Sequence, residues 1–159
     1  MRYIIVLCFF VNLSAPENPR DWREEICQAK IFVKEREKEI LIDNILTVIR
    51  QLESSGNYHA KGGSGEYGAY QFTLSTWRYY SEMFFGENLI MTPENQDLLA
   101  RRKVEMLLDQ GLTPSQIASF WNSGRIEWEG IVGVNRFEVK YDTPLYVKRF
   151  VNQLKKMES

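Results

Sequence analysis

The chain has 159 residues, of which 44% are hydrophobic and 13% aromatic, and it carries a formal net charge of -1. That length holds one domain with a real core and is short for two. With no basic excess, the electrostatic footprint of a nucleic-acid binder is missing, and the aromatic surplus fits either core packing or stacking surfaces.

Residues 1–15, MRYIIVLCFFVNLSA, place Arg2 ahead of an apolar run from Ile4 to Val11 that is too short to span a bilayer as a helix. The pattern predicts a short secretory signal, although Leu13 and Ala15 make a poor cleavage site and Pro16 is an unfavourable follower. An uncleaved N-terminal anchor or a buried strand fits the same run. Cys8 lies within it and Cys27 beyond it, so a processed chain would retain one cysteine and no internal disulfide. No metal-ligand spacing is present, and neither a metal nor a cofactor is expected. His59, alone in a polar stretch, reads as an exposed loop histidine. Residues 16–38 read as a charged lead-in helix or linker, and no repeat or low-complexity tract interrupts residues 39–157.

Within 39–157 the pattern is helical, with no alternating strand signal of any length. Thr92-Pro93, Thr113-Pro114 and Thr143-Pro144 each place a capping hydroxyl before a proline at the first helical position. Gln116, three residues after Thr113, completes a capping box. Gly111 closes the helix that begins at Pro93, a segment of about five turns with Leu98, Leu99, Val104, Leu107 and Leu108 available for burial. Before these comes Glu53. It follows Ile42, Leu46 and Ile49 at helical spacing and shares their face. A carboxyl on the apolar side loses water, which raises its pKa and suits it to general-acid work near neutral pH. A fraying helix end, with Glu53 turned to solvent, satisfies the same spacing.

Four segments then occur in order: Glu53-Ser54, Gly68-Ala69-Tyr70-Gln71, Trp121-Asn122-Ser123-Gly124, and Tyr146 within TPLYVKRF. Together they resemble the lytic transglycosylases of the soluble type, whose domain is lysozyme-like. The family usually has Leu-Met where this chain has Ala69-Tyr70, and Tyr where it has Trp121. Both departures keep a large side chain nearby, so an altered subsite shape is expected with the chemistry intact. The resemblance implies a mainly α domain of the α+β lysozyme-like superfamily over residues 39–157, with a glycan-binding cleft and peptidoglycan as substrate.

By that resemblance Glu53 is the catalytic residue. It would protonate the leaving oxygen of a glycosidic bond and then, as carboxylate, accept the proton of the sugar's own 6-hydroxyl, leaving a 1,6-anhydro end. Ser54, Glu66, Tyr70, Gln71, Trp77, Trp121, Asn122 and Tyr146 would contact the glycan or the acid. In the hydrolytic goose-type lysozymes an acid near the place of Glu66 helps position water, and a solvated loop residue is its plainer role. Tyr67, Tyr70 and Trp77 offer flat faces that suit sugar rings, with core packing as the rival role. Ser55, Gly56, Gly62, Gly63 and Gly65 would let backbone approach a glycan closely, as they would in any flexible loop. Asn122 carries the donor and acceptor that an N-acetyl amide needs, or simply ends a helix. Tyr146 shares a face with Phe150 and Leu154, so packing also accounts for it.

The expectation is therefore an exported monomer, periplasmic or extracellular, that cleaves peptidoglycan by transglycosylation. A muramidase using water keeps the same fold and substrate. A catalytically idle wall-binding component of a secretion or phage assembly is the alternative of a different class.

Overall fold

The computed structural model describes residues 21–135 and 137–157. The signal or anchor expected at 1–15 and the start of the lead-in, 16–20, lie outside the described residues. The chain divides into two units, Met1–Lys38 and Glu39–Ser159. In chain order the elements are α1 (Asp21–Ser54), α2 (Leu74–Phe85), α3 (Pro93–Asp109), α4 (Pro114–Ser123), the short strands β1 (Val132–Val134) and β2 (Lys140–Asp142), and α5 (Thr143–Met157). The mainly α class expected from the sequence holds. No helix among the described residues is long and apolar enough to cross a membrane.

In the first unit the lead-in is helical from Asp21 onward, and its side chains from Trp22 to Lys38 are exposed. The core belongs to the second unit. On α1 it starts with Ile42, Ile45 and Ile49, all at 0% exposure. The facing helices bring Leu99 and Leu107 from α3, Ile117 from α4 and Phe150 from α5. Burial of these apolar side chains, each contributing about 1.5–3 kcal/mol, fixes the last turns of α1 against the bundle. Along α3 the buried stripe runs through Gln96, Leu99, Lys103 and Leu107 with Ala100 and Val104 beside it. Leu98 lies off that stripe and is exposed, contrary to the expectation, and Leu108 is only partly buried.

Thr92 caps α3 by accepting from the Asn95 N–H at 3.3 Å. At α4 the capping box is complete, with Gln116 Oε1 accepting from the Thr113 N–H at 2.9 Å. Gly111 ends α3 as read from sequence: it takes a φ of 82°, and the N–H of Leu112 reaches back to the carbonyl of Leu107. Thr143 differs from the expectation. It is the first residue of α5, and Asp142 caps the helix instead, accepting from the Leu145 N–H at 2.9 Å. The Thr143 hydroxyl is turned inward to Asn122.

The strands were not legible, since three residues are too few for alternation to register. β1 and β2 pair antiparallel, with Val132 opposite Asp142 and Val134 opposite Lys140. Asn135 ties this hairpin to the loop after α1 by donating to Ser64 Oγ at 2.7 Å. That loop is anchored in turn by the buried Gln96, whose Oε1 accepts from the Ala69 N–H at 2.7 Å and whose amide nitrogen donates to the Tyr58 carbonyl. Gly68 makes this approach possible: its φ is 86°, and a Cβ there would run into the Gln96 amide. Gly68→Ala should therefore lower stability by about 2–4 kcal/mol, from left-handed strain plus overpacking. Urea unfolding checks this, and a loss below about 1 kcal/mol would contradict the account of the loop anchor.

Candidate functional site

Helix α1 stops abruptly after Glu53-Ser54 because Ser55 and Gly56 both take positive φ, 55° and 84°. The reversal leaves Glu53 on the buried face of the last turn, with its carboxyl at a cleft of about 1280 Å³. The walls of the cleft come from the loop around Gly62–Gln71, from α2 and α3, from the end of α4, from the hairpin, and from α5. Tyr146 crosses from α5 and donates its hydroxyl to Glu53 Oε1 at 2.7 Å. Burial raises the Glu53 pKa to about 7, against the opposing pull of the Tyr146 hydrogen bond and of the Lys103 charge, while the Glu66 charge adds to the rise. Burial, and then the nearby Glu53, push the Tyr146 phenol well above its usual range, so it stays a donor.

Lys103 shares this space and was missed in the sequence. It lies on the apolar stripe of α3, 5% exposed, and its Nζ sits 4.0 Å from the centroid of Trp121. Tyr80 at 5.1 Å and Phe72 and Phe120 at 5.6 Å complete a cage of ring faces. Burial lowers its pKa to about 8, and the Glu53 charge resists that fall. Desolvating an ammonium costs several kcal/mol, whereas a desolvated cation–π contact contributes about 2 kcal/mol. Desolvation and the four ring contacts thus oppose each other at Lys103. The sequence signal was available as a lysine four residues from both Leu99 and Leu107, at a place where the helix wants an apolar group.

Glu66 and Gln71 face the cleft from the loop. The Glu66 carboxylate accepts from the Ser64 N–H at 2.8 Å, and Gln71 donates to the Gly68 carbonyl at 2.8 Å. Both side chains close on Gly62, where a Cβ would strike the two of them. At the end of α4, Gly124 turns the chain away with φ 73°, leaving Trp121 and Asn122 in the cleft wall. Trp121 is fixed by its Nε1–H to the Tyr70 carbonyl at 3.2 Å. Asn122 Oδ1 accepts from the Thr143 hydroxyl at 2.9 Å. That bond occupies the side-chain oxygen of Asn122.

Glu53, Glu66, Gln71, Trp121, Asn122 and Tyr146 thus converge on one cleft, while Ser54, Tyr70 and Trp77 do not line it. The Ser54 hydroxyl donates to the Ala69 carbonyl at 2.8 Å and locks the helix end to the loop. Tyr70 is 2% exposed, with its hydroxyl on Asp97 Oδ1 at 2.7 Å. Trp77 is 1% exposed and donates to the Leu89 carbonyl at 2.8 Å. For these two the packing role prevails, because an aromatic with a buried polar partner is worth most inside the core. The ring faces in the cleft are instead Tyr79, Tyr80, Phe120 and Tyr141, of which Tyr79 is 62% exposed. Tyr67 pairs with the exposed His59 at 3.2 Å.

Chemically, the arrangement offers one carboxyl that is half protonated near neutrality, a phenol bonded to it, an oriented amide, and flat faces along an open groove. Among the described residues, no group of three His, Cys, Asp or Glu side chains is placed to hold a metal ion. Residues 43–113 match the family model described as Transglycosylase-like domain. The matched span holds Glu53, Glu66, Gln71 and Lys103 and ends before Trp121, Asn122 and Tyr146. No curated protein and no solved structure matches the chain.

The raised pKa of Glu53 has a consequence for stability. A carboxyl held near 7 in the fold and near 4.5 when unfolded favours folding most below pH 4.5, and that contribution is lost as pH rises through 7. Glu53→Gln should therefore be more stable than the unchanged protein at pH 8 and nearly equal to it at pH 4. Urea midpoints at the two pH values check this, and an equal difference at both would contradict the burial of the charge.

Proposed function

We propose that this chain, through its transglycosylase-like domain, is a peptidoglycan lytic transglycosylase that cleaves the MurNAc-GlcNAc β-1,4 bond and leaves a 1,6-anhydroMurNAc end. The observation that carries the reading is the Glu53 carboxyl, half-buried at the cleft and bonded to Tyr146, with a pKa raised to about 7. A group poised there serves as acid in one step and as base in the next.

In the first step the protonated Glu53 gives its proton to the glycosidic oxygen as the bond to C1 breaks. The electron-poor C1 is stabilised by the carbonyl oxygen of the substrate's own N-acetyl group. In the second step the Glu53 carboxylate takes the proton of the C6 hydroxyl while that oxygen bonds to C1, which returns Glu53 to its starting state. The nucleophile is tethered, so no water has to be held in place. Tyr146 supports the carboxylate formed between the steps by donating to Oε1. Asn122, whose own carbonyl is occupied by Thr143, directs its N–H groups to the N-acetyl carbonyl. Trp121, Gln71 and Glu66 shape the sugar subsites.

Glu66 also favours a second reading. Two carboxyl groups facing one cleft is the pattern of a hydrolase, in which the second orients water, and Glu66 lies within electrostatic reach of Glu53. Its engagement with the Ser64 backbone suits loop support better than water activation. An idle wall-binding component has no use for a buried acid that works against stability. The substrate sets the place of action outside the cytoplasm, as a monomer or attached to an envelope or phage assembly.

Mass analysis of peptidoglycan digested by the chain tests the proposal. Anhydro-terminated muropeptides are expected, and Glu66→Gln should keep most of the activity and the same products. Reducing ends from the unmodified chain, with activity abolished by Glu66→Gln, would establish the hydrolase instead. An absence of products would leave wall binding alone.

A further inference from the structure

Among the described residues, the cleft contains one buried cation, and the two steps above give it no part. Lys103 is 5% exposed, yet it lines the same cleft as Glu53. Among the described residues no ion pair or hydrogen bond holds its ammonium; the faces of Phe72, Tyr80, Phe120 and Trp121 do. A methionine or leucine would fill that space without the cost of desolvating a charge, so packing does not account for a lysine. Its surroundings also keep it from quenching the acid. A direct ion pair would hold Glu53 as a permanent anion, unable to donate, whereas a cation retained on ring faces acts on Glu53 through space.

We infer that Lys103 is a positioning residue of this site, its caged ammonium supporting the Glu53 carboxylate that exists between proton donation and proton recovery. The inference rests on the proposed function. Without the cation, burial acts on Glu53 opposed by Tyr146 alone, and the carboxyl becomes a weaker acid that releases its proton to the glycosidic oxygen more slowly. The other titratable groups that act on the pair are Glu66 from the loop, Tyr80 from α2 and Tyr146 from α5. Arg125, Glu129, Lys140, Asp142 and Arg149 line the same cleft as exposed residues, where solvent screens them. None of these takes the place of a buried charge.

The test compares the full chain with Lys103→Met, which keeps length and apolar volume, and with Lys103→Arg, which keeps the charge. The Glu53 carboxyl carbon is titrated by ¹³C NMR, its resonance identified by its loss in Glu53→Gln, and the pH profile of kcat/KM is recorded on peptidoglycan. In the Met variant the Glu53 midpoint should rise by about one unit and the alkaline limb of kcat/KM should move up with it. kcat should fall several-fold with KM little changed and with no drop in Tm. The Arg variant should restore the midpoint most of the way. An unmoved midpoint in the Met variant, or a lowered Tm as its only effect, overturns the inference and leaves Lys103 a packing residue. A raised midpoint in a chain whose unmodified form releases no muropeptides supports the electrostatic link and overturns the lytic function instead.

Discussion

A carboxyl group half-buried at the end of a helix is the constraint around which the second unit is arranged. Glu53 occupies the place on α1 where the stripe of Ile42, Ile45 and Ile49 would continue with another aliphatic residue. Burying an ionised carboxylate there is costly, and the fold limits that cost in two ways. It lets the proton stay on to about pH 7, and it supplies Tyr146 and Lys103 for the state in which the proton has gone. Lys103 is itself buried at a cost and Tyr146 is half-buried, so the group as a whole is held largely by the packing around it.

That packing explains why the loop and α4 are built as they are. The helix end must meet the loop, and it does so through Ser54 on the Ala69 carbonyl and Gln96 on the Ala69 N–H, with Gly68 as the residue thin enough to admit the Gln96 amide. Trp121 then serves two neighbours: its indole N–H fixes Tyr70 from one side and its face covers Lys103 from another. The rings of Phe72, Tyr80, Phe120 and Trp121 house the Lys103 ammonium, and the more exposed Tyr79 and Tyr141 face the groove.

Much of this was legible in the chain. The position of Glu53 followed from its spacing after Ile42, Leu46 and Ile49, and the boundaries of α3 and α4 followed from threonine, proline and glycine acting locally. Gly68 through Gln71, Asn122 and Tyr146 were found through the family resemblance rather than through periodicity. What was not legible depended on contacts between distant segments. Trp77 and Tyr70 have residue types that suit a sugar platform, and only Leu89 and Asp97 decide that they face inward. Thr143-Pro144 has the same pattern as the two Thr-Pro caps, but Asn122 draws the Thr143 hydroxyl inward and Asp142 caps the helix. The hairpin is held by Asn135 on Ser64, across 71 residues of sequence. Lys103 was overlooked because a lysine within a helix is ordinarily solvated, and the cage that receives it comes from the segment before α2, from α2 itself and from α4.

The most direct trial of the account is the turnover of peptidoglycan by Glu53→Gln beside the unmodified chain, with unfolding measured on the same preparations. Gln keeps the shape of the side chain and an oxygen for Tyr146, but it can neither donate the proton nor recover it. The account predicts a fall in turnover of roughly a hundredfold to ten-thousandfold with the fold intact. Turnover within a few-fold of the original, by a folded variant, would contradict it.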